Sequence, residues 1–383
     1  MKYRKATSLV GTFLMVLCLW TLAACSTSQT TDAGSSAPTP LPGSTSPIKA
    51  IRMLDAVKGW ALTDQNILLT SDGGQHWKNV TPTGTAYGKY GRGDFLNDHV
   101  AWIVSTAQPL DTKVNVLHTS DGGQHWQSST ISINDVSLLD PPHFLTSQEG
   151  FLELGVGNLG TGSRQAVGIF HTSDGGQHWT EISNIGLTNP AEAIGYKTGI
   201  SFKDTHTGWA TGGGASATPW LYVTHNGGHT WSHQSLPNLP GALVTTTTPP
   251  VIFGNIGFLP AEIAVSGAHQ GHIMAAWKTT DGGATWTAIQ STHAAGGSST
   301  GFVTGDDLYI ADVHHAWGTD PSGDVWGTSD SFQNWSLLAP AVDFINALSF
   351  ATPSSGWAIS STTLWQTTDG GHHWSKIAYQ ITA

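Results

Sequence analysis

The sequence predicts an all-β fold, a seven-bladed β-propeller of four-stranded antiparallel blades. Three observations predict it. An eight-residue box, Thr-x-Asp-x-Gly-x-x-Trp, first reads Thr70 to Trp77 and returns at Thr119–Trp126, Thr172–Trp179, Thr224–Trp231, Thr279–Trp286, Thr328–Trp335 and Thr367–Trp374, twice with substitutions. An apolar residue followed by a Gly or Ala and an aromatic precedes every box, as in Met53 with Gly59-Trp60 and Phe202 with Gly208-Trp209. Beyond the N-terminal segment, short apolar runs bounded by Gly, Asp, Ser and Asn replace any long helical period, which argues strands and tight turns. Self-similarity recurring at about 40 to 55 residues marks a repeat architecture. Radial repetition of four-stranded units gives a propeller, in which sheet edges stay short and protected.

Each repeat reads as four strands. Strand A holds the apolar residue (Met53, Phe95, Phe144, Phe202, Phe253, Ile310, Phe350). Strand B holds the aromatic after Gly or Ala (Trp60, Trp102, Phe151, Trp209, Phe258, Trp317, Trp357). Strand C runs into the box through a large residue four before its Asp or Asn: Leu68, Leu117, Phe170, Tyr222, Trp277, Trp326, Trp365. Strand D follows the box Trp. Asp-Gly and Asn-Gly suit the C–D turn because they tolerate positive φ. The sixth box, Asp330-Ser331-Phe332, has lost both glycines, which puts its turn geometry in question. A lone unit cannot bury its faces, so the ring folds as one domain, residues 48–383. First strand A and last strand D are both present, so no overlapping closure strand is required.

These motifs resemble the Asp-box (BNR) repeat, in the variety found in the photosystem II stability/assembly factor family. The resemblance covers nearly the whole chain after the N-terminal segment and implies the propeller fold. Sialidases, sortilin-type receptors and xyloglucan-active glucanases share the box, so function has to be argued from a site. The box itself reads as structural: its Asp can bond turn N–H groups and its Trp has area to bury. His76, His125, His178 and His373 precede box tryptophans at separate blade edges and read as solvated turn residues. The pairs His314-His315 and His372-His373 lack the three or four ligands at defined spacing that zinc needs, so neither metal nor cofactor is expected.

Residues 1–24 read as a lipoprotein signal peptide. Lys2, Arg4 and Lys5 precede an apolar Val10–Leu22. The ending Leu22-Ala23-Ala24-Cys25 resembles a bacterial lipobox, which implies cleavage before Cys25 and lipidation of that residue. Residues 25–47 are rich in Ser, Thr, Pro, Gly and Ala and read as a disordered tether. Cys18 and Cys25 are the two cysteines of the chain, so the propeller has no disulfide. With 15 Lys and Arg against 26 Asp and Glu the net charge is −11, and losing the leader removes three more positive charges. No basic patch is left to neutralise phosphates, which excludes nucleic acid as partner.

The spacing of motifs points to a binding face. The A–B and C–D turns are constant and share one face. The B–C and D–A connections share the other and vary: strand B aromatic to box Asp or Asn takes 12, 19, 23, 17, 23, 13 and 12 steps. Loops on a rigid scaffold carry binding, so the ligand site is expected over blades 3 to 5. Trp220 is the one tryptophan after the leader without a repeat role. It is a candidate ligand-binding residue with Arg164, Glu262, Asp306 and Asp307. A sialidase would need three converging arginines, and only Arg52, Arg92 and Arg164 follow the leader. The arginine-lined surface of the assembly-factor family is expected to have no counterpart here. The expected protein is a monomeric, lipid-anchored, extracytoplasmic scaffold of the bacterial cell envelope. It is expected to be a non-catalytic binder of a protein or glycan; the alternative is a sialidase-like or glucanase-like glycoside hydrolase, with Asp306 or Asp307 and Glu262 as the carboxylate pair.

Overall fold

The computed structural model describes residues 47–382, apart from 85–86, 88–89, 157–164, 188–193, 214–218, 240–241, 266–270, 290–291, 294–307, 321–322, 341–342 and 344. Cys25, the leader, the tether up to residue 46, Arg164, Asp306 and Asp307 lie outside the described residues. The chain is an all-β propeller. Each box closes an antiparallel A–B–C–D meander, from Ala50–Met53, Gly59–Leu62, Ile67–Thr70 and His76–Asn79 in unit 1 to Ile345–Phe350, Gly356–Ser360, Leu364–Thr367 and Ser375–Ile377 in unit 7. The first strands lie against one another from unit to unit: strand A of unit 7 touches strand A of unit 1 and of unit 6. Strand A is therefore innermost.

Burial falls outward from strand B. Gly59–Leu62 and Ala101–Ser105 are buried at every position, whereas strand D of unit 2, Gln127–Ser132, is mostly exposed. A strand covered on both faces by neighbouring sheets has no polar side to alternate with, so strand B reads as a continuous apolar run.

The seams between units are aromatic. The strand B aromatic of one unit stacks on the strand A Phe of the next: Trp102 on Phe144 at 3.6 Å between centroids, Phe151 on Phe202 at 3.6 Å, Trp317 on Phe350 at 3.7 Å. The box Trp of that next unit then meets the Phe edge-on, as Trp179 meets Phe144 and Trp374 meets Phe350. The edge-on contacts suit the ring quadrupoles, whereas the near-parallel pairs lie face to face and gain from the apolar area they bury. The indole N–H also reaches across. Trp102 donates to the Gly175 carbonyl, Trp317 to Gly370 and Trp357 to Gly73, each within 2.9 Å.

The box works by a short hydrogen-bond relay. In the third copy the Thr172 hydroxyl donates to Asp174 Oδ1 (2.9 Å), Gly176 N–H donates to Thr172 Oγ1 (2.9 Å), and His178 N–H donates to Asp174 Oδ1 (3.0 Å). The residue after the Asp, Gly175, donates its N–H to the Gln148 carbonyl of the A–B turn (2.9 Å), and the other six units repeat that stitch. The histidines expected to be merely solvated instead pair with their own box: His178 Nδ1 lies 2.6 Å from Asp174 Oδ2, with the same contact at His76, His125 and His373. The box oxygens are thus committed to the turn.

The sixth box keeps this turn without glycine. Ser331 and Phe332 take φ of 65° and 70°, where the other boxes place Gly-Gly. Phe332 is accommodated because the preceding unit carries Phe258 in place of Trp. The two rings stack at 4.8 Å, and Phe332 also packs edge-on against Trp335. In the fifth box a Cβ on Gly283 would lie 2.1 Å from Trp209, so an indole on strand B leaves no room for a side chain there.

One expectation needs correction. The sheets are not uniformly four-stranded. Units 4 and 5 merge into a nine-stranded sheet through Ala242–Thr247, and Thr292–His293 adds parallel to Asn334–Trp335 on the rim of unit 6. At the closure, Gln380–Thr382 adds in parallel outside His76–Lys78, and unit 1 keeps four strands of its own, so no overlapping strand is needed to complete it.

Candidate functional site

Strand A is broken by a Pro-Pro pair in two units. In unit 3, Val136–Leu139 and His143–Phe144 flank Asp140-Pro141-Pro142, and each pairs separately with strand B, Gly150–Val156. In unit 5, Pro249-Pro250 separates Ala242–Thr247 from Val251–Phe253. Proline offers no N–H to the ladder. The break leaves Leu152 and Glu153 of strand B without ladder partners on the strand A side.

Beside this break lies a cavity of ≈ 650 Å³. Its walls come from the first strands of units 1, 2 and 7 and from Pro141 of unit 3, with Thr63 and Ser361 from B–C turns. It therefore opens on the face of the variable connections, but beside their short members. Arg52 and Arg92 both line it, with Lys49 and Asp94. The Arg52 guanidinium donates to the Tyr309 hydroxyl and lies 5.5 Å from that ring's centroid. Arg92 donates to the Gly91 carbonyl at 3.2 Å. Among the described residues neither guanidinium has a carboxylate within ion-pair distance; Lys49 is paired with Asp64 at 2.5 Å.

The acids behind the arginines are Asp94 and Asp140, both largely buried, and Glu153, fully buried. Burial pushes the Asp94 carboxyl up, against the Phe144 N–H it accepts at 2.7 Å and the nearby charges of His143 and Arg52. Burial likewise pushes Asp140 up to about 6, opposed by its contact with Glu153 and by the Arg92 charge. Glu153 has no exposed surface; burial and the neighbouring Asp140 drive it well above the carboxylate range, opposed by Lys197. Desolvation disfavours the charged form in every such case. The acids nearest the two arginines are thus shifted toward their neutral forms, while the guanidinium groups stay charged.

The two sequence-predicted residues that are described, Trp220 and Glu262, lie elsewhere. Trp220 is half-buried on strand C of unit 4, tilted on Tyr222 at 4.5 Å, with Lys197 Nζ 4.1 Å from its ring centroid. Its backbone carbonyl accepts the Thr247 hydroxyl at 2.9 Å. Glu262 sits on strand B of unit 5, opposite Thr246 and Met274, and does not line the cavity. Arg52 and Arg92 line one cavity together, a juxtaposition the sequence reading did not anticipate. Sequence reasoning missed them because it tested the arginines only as a triad. The available signal was that two of the three arginines after the leader fall on strand A, the innermost strand. Among the described residues no group of three His, Cys, Asp or Glu is placed to hold a metal ion.

No family model matches the chain. Its fold is similar to that of the assembly factor YCF48 in two solved structures. One is YCF48 bound to D1 peptide, at a TM-score of 0.53 and 18% identity over 86% of this chain and 93% of that one. The other is YCF48 from Cyanidioschyzon merolae, at 0.55 and 17% over 86% and 97%. A curated relative, a xyloglucanase of Hypocrea jecorina (strain QM6a), is 23% identical over 230 residues, 51% of this chain but 26% of the enzyme. The chain thus matches about a quarter of that enzyme's length, and these likenesses establish a β-propeller resembling YCF48.

Proposed function

We propose that this chain is a lipid-anchored, extracytoplasmic seven-bladed propeller that acts as a non-catalytic scaffold and holds an anionic segment of a partner protein in the cavity between Arg52 and Arg92. The carrying observation is the pair of guanidinium groups, unpaired with described carboxylates, on one cavity wall. Arginine forks recognise carboxylates bidentately, and each such contact is charge-assisted. The structure of YCF48 bound to D1 peptide gives a precedent for peptide binding on a similar fold. Trp220 and the long connections of units 3 to 5 are assigned to the flank of the partner, and Cys25 to the lipid.

The test is fluorescence anisotropy with labelled decapeptides of acidic, neutral and basic composition. Acidic peptides should bind best. Arg52→Ala and Arg92→Ala should each weaken them by about tenfold or more, in the range of charged contacts at an interface. Lys376→Ala, on an outer strand, should change nothing. Equal affinity for all three compositions would defeat the proposal.

The hydrolase reading is favoured by one observation, the likeness to the xyloglucanase. It requires two carboxyl groups ~5–9.5 Å apart across a cleft. Asp140 and Glu153, buried and in mutual contact, do not meet that requirement. Release of reducing sugar from xyloglucan by the full chain would establish it.

A further inference from the structure

The Asp140–Glu153 pair poses a hydrogen-bonding problem. Glu153 is fully and Asp140 largely buried, and Asp140 Oδ2 and both Glu153 carboxyl oxygens are enclosed without a donor. Two ionised carboxylates are acceptors only, and unpaired buried acceptors are costly. The pairing of Leu139 with Leu154 sets Asp140 and Glu153 opposite each other where the ladder breaks, and the two carboxyls act on one another there. One proton held between them supplies the missing donor. It also ties strand A to strand B at the point where Pro141 and Pro142 interrupt the ladder. The pair is therefore one proton-binding unit, as like carboxyls in close contact are.

Its surroundings connect it to the cavity. Pro141, next to Asp140, is a cavity wall, and Arg92, also on the wall, is the cation that acts on Asp140. From unit 4, the buried Lys197 acts on Glu153, while its ammonium donates to the Ile194 carbonyl at 3.3 Å. Gly199, at φ 124°, brings unit 4 backbone close: a Cβ there would lie 3.8 Å from Asp140 Oδ2. On the same connection His143 donates through Nε2 to the Phe202 carbonyl at 2.9 Å, and its charge acts on Asp94 instead. Val136–Leu139 carries no titratable side chain, and His171, on strand C of unit 3, is occupied with Glu149 at 2.8 Å.

We propose that the Asp140–Glu153 pair is a proton-linked regulator of the arginine cavity: ionised, it compensates Arg92 and weakens anion binding; protonated, it frees Arg92 for the ligand. The inference rests on the anion-binding reading of the cavity. Its direction follows from linkage. A bound anion beside Arg92 repels a charge on Asp140, so binding favours proton uptake by the pair. Capture is strongest in mildly acidic surroundings and fades as the pair ionises.

The experiment is calorimetric titration of the full chain in detergent with tri-glutamate, from pH 5.5 to 8.0. The probe's own carboxyls titrate below that window. Wild type should bind about tenfold more weakly at pH 8.0 than at 5.5, the effect of about one pKa unit of coupling. Asp140→Asn should bind tightly at both pH values. Arg92→Ala should bind weakly at both, and His143→Gln should keep the wild-type slope. Glu153→Gln is the second variant: its amide donates to Asp140, favours the ionised form, and should move the slope to lower pH. The inference alone is overturned if binding needs Arg92 but Asp140→Asn keeps the slope, or if His143→Gln abolishes it. No binding at any pH, or binding indifferent to Arg92, overturns the cavity reading and the inference with it.

Discussion

Asp174 shows what the conserved-looking box carboxylate does at the scale of one residue. Partial burial pushes its carboxyl up, but the backbone N–H and ring of His178 and the Thr172 hydroxyl outweigh it and hold it at about 2. The folded value is depressed below that of an unfolded Asp, near 3.9. Its stabilising contribution is therefore complete above pH 4 and is lost as pH falls toward 2. Asp121 and Asp281 are held at about 2 by the same kind of donors, chiefly the His125 N–H and the Thr285 hydroxyl. Several boxes should fail together, giving a steep acid unfolding transition between about pH 4 and 2, read by tryptophan fluorescence. Asp174→Ala should cost about 1–2 kcal/mol, the scale of stranding turn donors. A melting temperature equal to that of wild type would refute the structural role.

At the scale of the element, the seam between units 5 and 6 departs from the rule in both partners at once. Trp becomes Phe258 on strand B, and the second glycine of the box becomes Phe332. The substitutions fit each other sterically, because the smaller ring of Phe258 makes room for Phe332. Phe332→Gly relieves a left-handed backbone worth about 1 kcal/mol but removes a buried ring, so it should destabilise by about 2–4 kcal/mol. Adding Phe258→Trp should recover part of this, since the indole regains space and a facing carbonyl at residue 331. A double-mutant cycle in denaturant should show coupling of about 1–3 kcal/mol; additivity would reject the paired account. Much of this scale was legible in the sequence, because the strand B, strand A and box positions recur at fixed offsets. The cavity was not. Arg52, Arg92 and Asp140 come from three units, and nothing in the spacing along the chain says that strand A residues of separate repeats meet at the axis with one another's charges. Trp220, which has no repeat role, packs beside Lys197 and Tyr222, neighbours that its place in the sequence did not announce.

For the whole molecule the question is what keeps a ring of weakly autonomous sheets closed. The last seam repeats the others: Trp357 donates to the Gly73 carbonyl at 2.9 Å, and Met53 N–H donates to Ser349 Oγ at 2.8 Å. The rim adds a second tie. Gln380–Thr382 pairs parallel with His76–Lys78, Gln380 N–H donates to the Gln75 carbonyl at 2.9 Å, and Tyr379 and Ile381 pack on the core shared by units 7 and 1. This strand lies outside strand D rather than completing a sheet, so unit 1 retains four strands of its own without it. Removing residues 380–383 should accordingly leave the ring folded while loosening one seam. The expected loss is about 1–3 kcal/mol, a few partly buried apolar contacts and ladder hydrogen bonds. Hydrogen exchange should locate it: amides of His76–Asn79 and of Ile345–Phe350 should lose protection, and those of units 3 to 5 should keep it. Uniform loss of protection around the ring would mean that closure is one cooperative event; no loss at the first seam would mean that the aromatic contacts alone hold it shut.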